Sequence, residues 1–97
     1  MTLKNKPWMR FEFIPHIDSV NVLLNLYKFR SIILRKTKKY SEAIDVCNQG
    51  ITIARHNRIQ NYYLDLVTVL GSIYLLQKQI DKAKERFEMV LNYDYER

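Results

Sequence analysis

The chain has 97 residues, 47% apolar and 27% charged, with a net charge of +6, which is the balance of one folded domain and not of a disordered or fibrous chain. A single cysteine, Cys47, excludes an internal disulfide framework, and two glycines, Gly50 and Gly71, leave no glycine-rich loop to cradle a phosphate. No uninterrupted apolar run approaches the roughly 18 residues of a membrane span, and the N-terminus lacks the basic, apolar, small-residue order of a secretion signal, so a cytoplasmic protein without a membrane partner is expected.

Residues 1–17 read as an N-terminal arm. Trp8, Phe11, Phe13 and Ile14 cluster between Pro7 and Pro15, a pattern open to a strand, a short helix or an extended arm. Three aromatics left in water are a poor solution for a small protein, so the arm is expected to cover the end of the first helix pair or to enter another chain, with folding back preferred.

After Pro15 no proline interrupts the chain and strand-like alternation is nowhere sustained, so helices are permitted throughout. The first is expected from about Asp18 to Lys39. Val20, Leu23, Leu24, Tyr27, Ser31 and Leu34 share one face, with Leu26, Phe29 and Ile33 alongside, and a narrower stripe of Asn21, Asn25, Lys28, Ile32 and Arg35 runs opposite at helical spacing. Such a helix should be buried on two sides and open along the narrow stripe.

The whole charge imbalance falls on this helix and its end. Lys28, Arg30, Arg35, Lys36, Lys38 and Lys39 occur without an intervening acid, and the other ten basic residues balance the ten acidic ones. Cations at a helix C-terminus complement the exposed carbonyls; the same run also offers a site for nucleic acid or another acidic ligand. The helix-end reading is preferred.

A break at Lys38 to Tyr40 is followed by Ser41, a candidate N-cap, with Glu42 and Asp45 in the first turn. The second helix carries Ala43, Ile44, Cys47, Gly50, Ile51 and Ala54 and ends near Arg55 to Asn57. A third is expected from about Arg58 to Gln77 with Leu64, Val67, Leu70, Gly71, Tyr74 and Leu75. Asp81 marks the start of a fourth, which holds Ala83, Phe87, Val90 and Leu91 and a surface Lys84–Glu88 pair.

A shift of 40 residues places Tyr27 on Val67, Ser31 on Gly71, Leu34 on Tyr74, Ser41 on Asp81, Ala43 on Ala83, Cys47 on Phe87 and Gly50 on Val90. Self-similarity at this period indicates stacked helix pairs, here about 18–57 and 58–95 within a repeat domain of residues 18–97. The small residues Ser31, Gly71, Ala43 and Ala83 allow the close approach of helix backbones that a tight hairpin needs. The expected fold is all-α.

Leu70, Gly71, Tyr74, Ala83 and Phe87 stand at the spacing of the tetratricopeptide repeat, which the chain resembles; Tyr27, Ser31, Leu34, Ala43 and Cys47 form a weaker copy without the Leu-Gly pair and with Cys in place of a bulky aromatic. The resemblance implies antiparallel hairpins stacked as a short right-handed solenoid. A period of 40 against the usual one of about 34 implies longer helices or a longer inter-repeat turn around Arg55 to Ile59. That longer period is similar to the repeat domain of Gram-positive peptide-pheromone receptors of the Rap, PlcR and Rgg type. In those regulators a groove built from the first helix of each repeat holds a short signalling peptide through side-chain amides.

On a stacked repeat, first-helix residues facing away from their own partner line the concave surface. Here these are Asn21, Asn25, Lys28, Ile32 and Arg35, then Asn61, Asp65, Thr68, Ser72 and Leu75. The 40-residue shift maps Asn21 onto Asn61, an amide can both donate to and accept from an extended peptide, and Lys28 or Arg35 suits a carboxylate. A solvated polar face without a ligand fits the same residues equally well.

No converging set of catalytic groups stands out. His16 and His56 read as structural, Cys47 as a buried inert thiol, and no Cys/His spacing fits zinc; Glu85, Glu88, Asp94 and Glu96 are scattered among basic residues. An enzyme, a metal or a cofactor is therefore not expected. Tyr62, Tyr63, Tyr93 and Tyr95 among basic residues are compatible with stacking on single-stranded nucleic acid, but tyrosines near helix ends more commonly pack their rings and wet their hydroxyls.

The sequence thus favours a peptide- or protein-binding module, with a detached sensor domain of a peptide-responsive transcriptional regulator as its most specific form. DNA would then be contacted only through a separate domain, for which 97 residues leave no room. The alternatives are a self-assembling structural unit and a small basic nucleic-acid-binding protein. Two repeats are fewer than the roughly three a solenoid usually needs, so self-association as a twofold dimer is expected to cap the stack.

Overall fold

The computed structural model describes residues 17–93, with side chains described from Ser19 onward. Four helices follow one another: α1 (Ile17–Lys36), α2 (Tyr40–His56), α3 (Gln60–Leu76) and α4 (Ile80–Leu91). The described residues contain no strand, and no helix among them is long and apolar enough to cross a membrane. The reading of residues 1–16 as a covering arm lies outside the described residues, as do Asp94, Tyr95 and Glu96.

The three connections are copies of one turn. Lys39 N donates to Leu34 O and Lys38 N to Arg35 O; Ile59 N donates to Ala54 O and Arg58 N to Arg55 O; Gln79 N donates to Tyr74 O and Lys78 N to Leu75 O. This paired pattern is the Schellman closure, in which the residue after the C-cap turns left-handed and two otherwise orphaned carbonyls find donors. Lys38, Arg58 and Lys78 accordingly have φ of 65°, 56° and 63°.

These turns correct the expected starts of the helices. Ser41 does not cap α2, nor does Asp81 begin α4: the caps are Lys39, Ile59 and Gln79, none with a side-chain hydrogen bond, and α3 starts at Gln60 instead of Arg58. Because the Schellman turn already folds the chain back, the next helix begins directly behind it. The 40-residue period therefore comes from helix length, since α2 and α3 have 17 residues each and the turn around Arg58 is no longer than the other two.

A left-handed residue with a Cβ costs about 1 kcal/mol relative to glycine. Lys38→Gly or Lys78→Gly is expected to stabilise the chain by roughly 0.5–1 kcal/mol each, seen as a rise of a few degrees in Tm; an unchanged or lowered Tm would show that the lysine stems hold the turns by packing.

Consecutive helices pack on one another, and α3 also touches α1, so α3 lies at the centre with neighbours α1, α2 and α4. Its burial follows: Leu64, Leu66, Val67, Val69, Leu70, Gly71 and Ile73 are all buried. One core cluster joins Ala43 and Cys47 of α2 to Val69, Leu70 and Ile73. The other joins Leu24, Ala54 and Ile59 to Leu66. Each large aliphatic side chain buried this way contributes on the order of 1.5–3 kcal/mol.

Small residues stand at close helix contacts in both hairpins. A Cβ added to Gly71 would lie 2.8 Å from Phe87 Cε1, so the α4 ring sits against the bare α3 backbone. In the first hairpin the equivalents of these residues also meet: Ser31, fully buried, donates to Lys28 O and lies close enough to the Cys47 thiol to influence its titration. A small-and-large pair in one hairpin thus stands where the other has two small residues.

Two expectations about faces are overturned. The narrow stripe of α1 is not its open side; Asn21, Asn25, Lys28, Ile32 and Arg35 are half-buried, and the exposed side carries Val22, Leu26, Phe29 and Ile33. The reason is that α3 takes up the polar stripe. On α4, Leu91 is 81% exposed and not part of the core; at this helix end it is Tyr93 that meets α3, through Tyr63. Lys84 and Glu88 form no ion pair; Glu85 pairs with Arg86 at 3.1 Å instead.

Candidate functional site on the paired first helices

Four of the residues expected to line a groove meet where α1 touches α3. Lys28 Nζ lies 3.0 Å from Asp65 Oδ2, and Arg35 donates to Ser72 Oγ at 2.7 Å. Both contacts join residues 37 apart, and they are seven residues apart along each helix. The two helices therefore run parallel in constant register over two turns, one on the first half of the chain and the other on the second.

The pairing changes what these side chains offer. Lys28 and Asp65 are 30% and 45% exposed, so their ion pair is worth at most about 1 kcal/mol, but it engages the ammonium that a ligand carboxylate would need. Ser72 Oγ accepts from Arg35 while donating to Val69 O, and Thr68 Oγ1 donates to Leu64 O. Asn21 and Asn25 are half-buried and Asn61 is exposed; none of the three makes a side-chain hydrogen bond among the described residues. Amides flanking a fixed ion pair remain available along this seam.

The basic segment is divided. Lys28 and Arg35 point at α3, whereas Arg30, Lys36, Lys38 and Lys39 are exposed. Lys36, Lys38 and Lys39 surround the α1–α2 turn, and because the helices alternate in direction the α3–α4 turn brings Lys78 to the same end of the fold. Lys82 and Arg86 instead lie over the Tyr74 ring, 5.5 and 6.0 Å from its centroid.

Cys47 is fully buried. Burial pushes its thiol up to about 11, opposed by the smaller effects of the Ser31 hydrogen bond and the Arg35 charge. Such a thiol is a poor nucleophile and a poor metal ligand at neutral pH. His56 is exposed at the end of α2. Among the described residues no three His, Cys, Asp or Glu side chains gather closely enough to hold a metal ion.

Sequence reasoning does not anticipate the cleft at the opposite end, between the α2–α3 turn and α4. It encloses about 450 Å³ and is lined by Arg55, Arg58, Tyr63, Met89 and Tyr93, among others. Tyr63 and Tyr93 pack on each other there, with ring centroids 5.5 Å apart, so they use their faces on one another. The signal lies in the adjacent Tyr62 and Tyr63, but only the α3–α4 packing decides which of them meets Tyr93. Comparison with known proteins adds no relative: no protein family, curated protein or solved structure matches the chain.

Proposed function

We propose that this chain is a binding module for an extended peptide or protein segment, built as a short right-handed solenoid of tetratricopeptide-like hairpins, with the ligand lying along the seam of α1 and α3. The supporting observation is the constant 37-residue register of Lys28 with Asp65 and Arg35 with Ser72, which gives the seam a straight floor over two helical turns. Asn21, Asn25 and Asn61 flank that floor, and an extended backbone presents donors and acceptors in alternation that amides can meet. The Lys28–Asp65 pair serves as a fixed dipole and not as a carboxylate clamp. Nucleic acid along this seam is disfavoured in this reading because Lys28 and Arg35 already have partners.

The test uses peptides selected from a displayed random library against the full chain. Asn25→Ala and Asn61→Ala each remove one ligand hydrogen bond, worth about 1 kcal/mol, so each is expected to weaken binding roughly fivefold with helicity unchanged. Affinities unaltered in both variants would place the bound peptides elsewhere and remove the proposed site.

A further inference from the structure

We propose that the exposed apolar face of α1 is the contact surface for a second copy of this chain, packed antiparallel on the first about a twofold axis between Leu26 and Phe29. This does not rest on the peptide reading, because the face lies roughly a third of a turn around α1 from the stripe that meets α3.

Val22, Leu26, Phe29 and Ile33 are 60%, 60%, 52% and 61% exposed, and Leu23 beside them is 41% exposed. Their spacing of four, three and four is that of a helix–helix seam, with knobs on one face at regular intervals. Together they form an apolar patch on the order of 500 Å², near the upper end of what a monomeric protein leaves in water. Two such patches with their polar margins reach the lower range of a specific interface, about 1,200 Å² in total.

The register points to a second copy. The stripe is symmetric about its midpoint, so an antiparallel twofold sets Val22 against Ile33 of the other copy and Leu26 against Phe29, and every exposed apolar residue of the seam meets an apolar partner. The margins agree in charge. Arg30 lies across from Leu23, where its stem covers apolar surface, and beyond the end of the seam Lys36 lies across from Ser19. No like charges are set opposite each other at these positions, and the contact closes on itself as a twofold interface must.

The test measures the mass of the full chain by sedimentation equilibrium from about 5 to 200 µM, with variants confined to exposed positions. The expected result is a dimer that the Leu26→Glu/Phe29→Glu double variant weakens at least about 100-fold with helicity unchanged, because two carboxylates per copy are then placed in an apolar contact. Orientation is read by disulfide formation: a mixture of Val22→Cys and Ile33→Cys chains should cross-link unlike with unlike, while the buried Cys47 stays out of the exchange. A monomer at all concentrations, as would follow if residues 1–16 of the same chain take this face, overturns the proposal. So does a dimer indifferent to the double variant, or cross-linking of like with like.

Discussion

Phe87→Cys alone is expected to destabilise the chain by about 2–3 kcal/mol, Gly71→Ser alone by about 1–2 kcal/mol, and the two together by clearly less than the sum. The Phe87 ring lies against the α3 backbone at Gly71, where any Cβ would approach it to 2.8 Å. Serine there forces the ring outward, and the gain in helix propensity over glycine, about half a kcal/mol, offsets only part of that cost. Removing the ring leaves the bare backbone of Gly71 facing a void. The double variant installs at α3–α4 the Ser-and-Cys pair that α1–α2 already uses at Ser31 and Cys47, so the hydroxyl regains a partner and the space is refilled. A double-mutant cycle by urea denaturation should give a favourable coupling of at least about 1 kcal/mol. Additive losses would mean that the two hairpins are not copies of one packing unit, and the 40-residue period would lose its physical meaning.

That period is legible because the packing at Ser31, Gly71, Ala43 and Ala83 permits only small side chains, which leaves a sequence trace. The four helices are legible for a related reason, the absence of proline after Pro15 and the regular spacing of apolar residues. The turns are not. Their left-handed positions hold Lys38, Arg58 and Lys78, where glycine is the usual marker, so capping chemistry draws the eye to Ser41 and Asp81 instead. The recurrence of a basic residue every 20 positions is the available signal. Which side of α1 is open escapes the sequence for a different reason: helical periodicity separates a polar from an apolar stripe but does not say which one a neighbouring helix covers. Here α3 supplies Asp65 and Ser72 as partners for Lys28 and Arg35, so the polar stripe turns inward and Val22, Leu26, Phe29 and Ile33 remain outside. Spacing alone therefore gathers the candidate groove residues on two helix faces, while their mutual pairing depends on a contact between residues 37 apart.

Alkaline conditions should remove about 2–3 kcal/mol from the stability of this chain through Cys47. Its thiol titrates at 9.0 when unperturbed and at about 11 in the fold, chiefly because burial disfavours the thiolate. The folded state therefore binds this proton more tightly than the unfolded state does. The associated stability is fully present below pH 9 and is lost as the pH rises from 9 through 11, at about 1.4 kcal/mol for each pH unit between those limits. Cys47→Ala lacks this proton. At pH 7 the variant should be the less stable by about 1–2 kcal/mol, for the buried volume it gives up between Ser31 and the core. As the pH rises past 9 the two stability curves should converge and then cross between about pH 9.7 and 10.6, where the lost 1–2 kcal/mol equals the cost of the missing volume. Urea midpoints measured at half-unit intervals from pH 7 to 11.5 would display the crossing. Curves that stay parallel across this range would mean that the thiolate is solvated in the native state, and that the contact between Ser31 and Cys47 opens far more readily than its full burial implies.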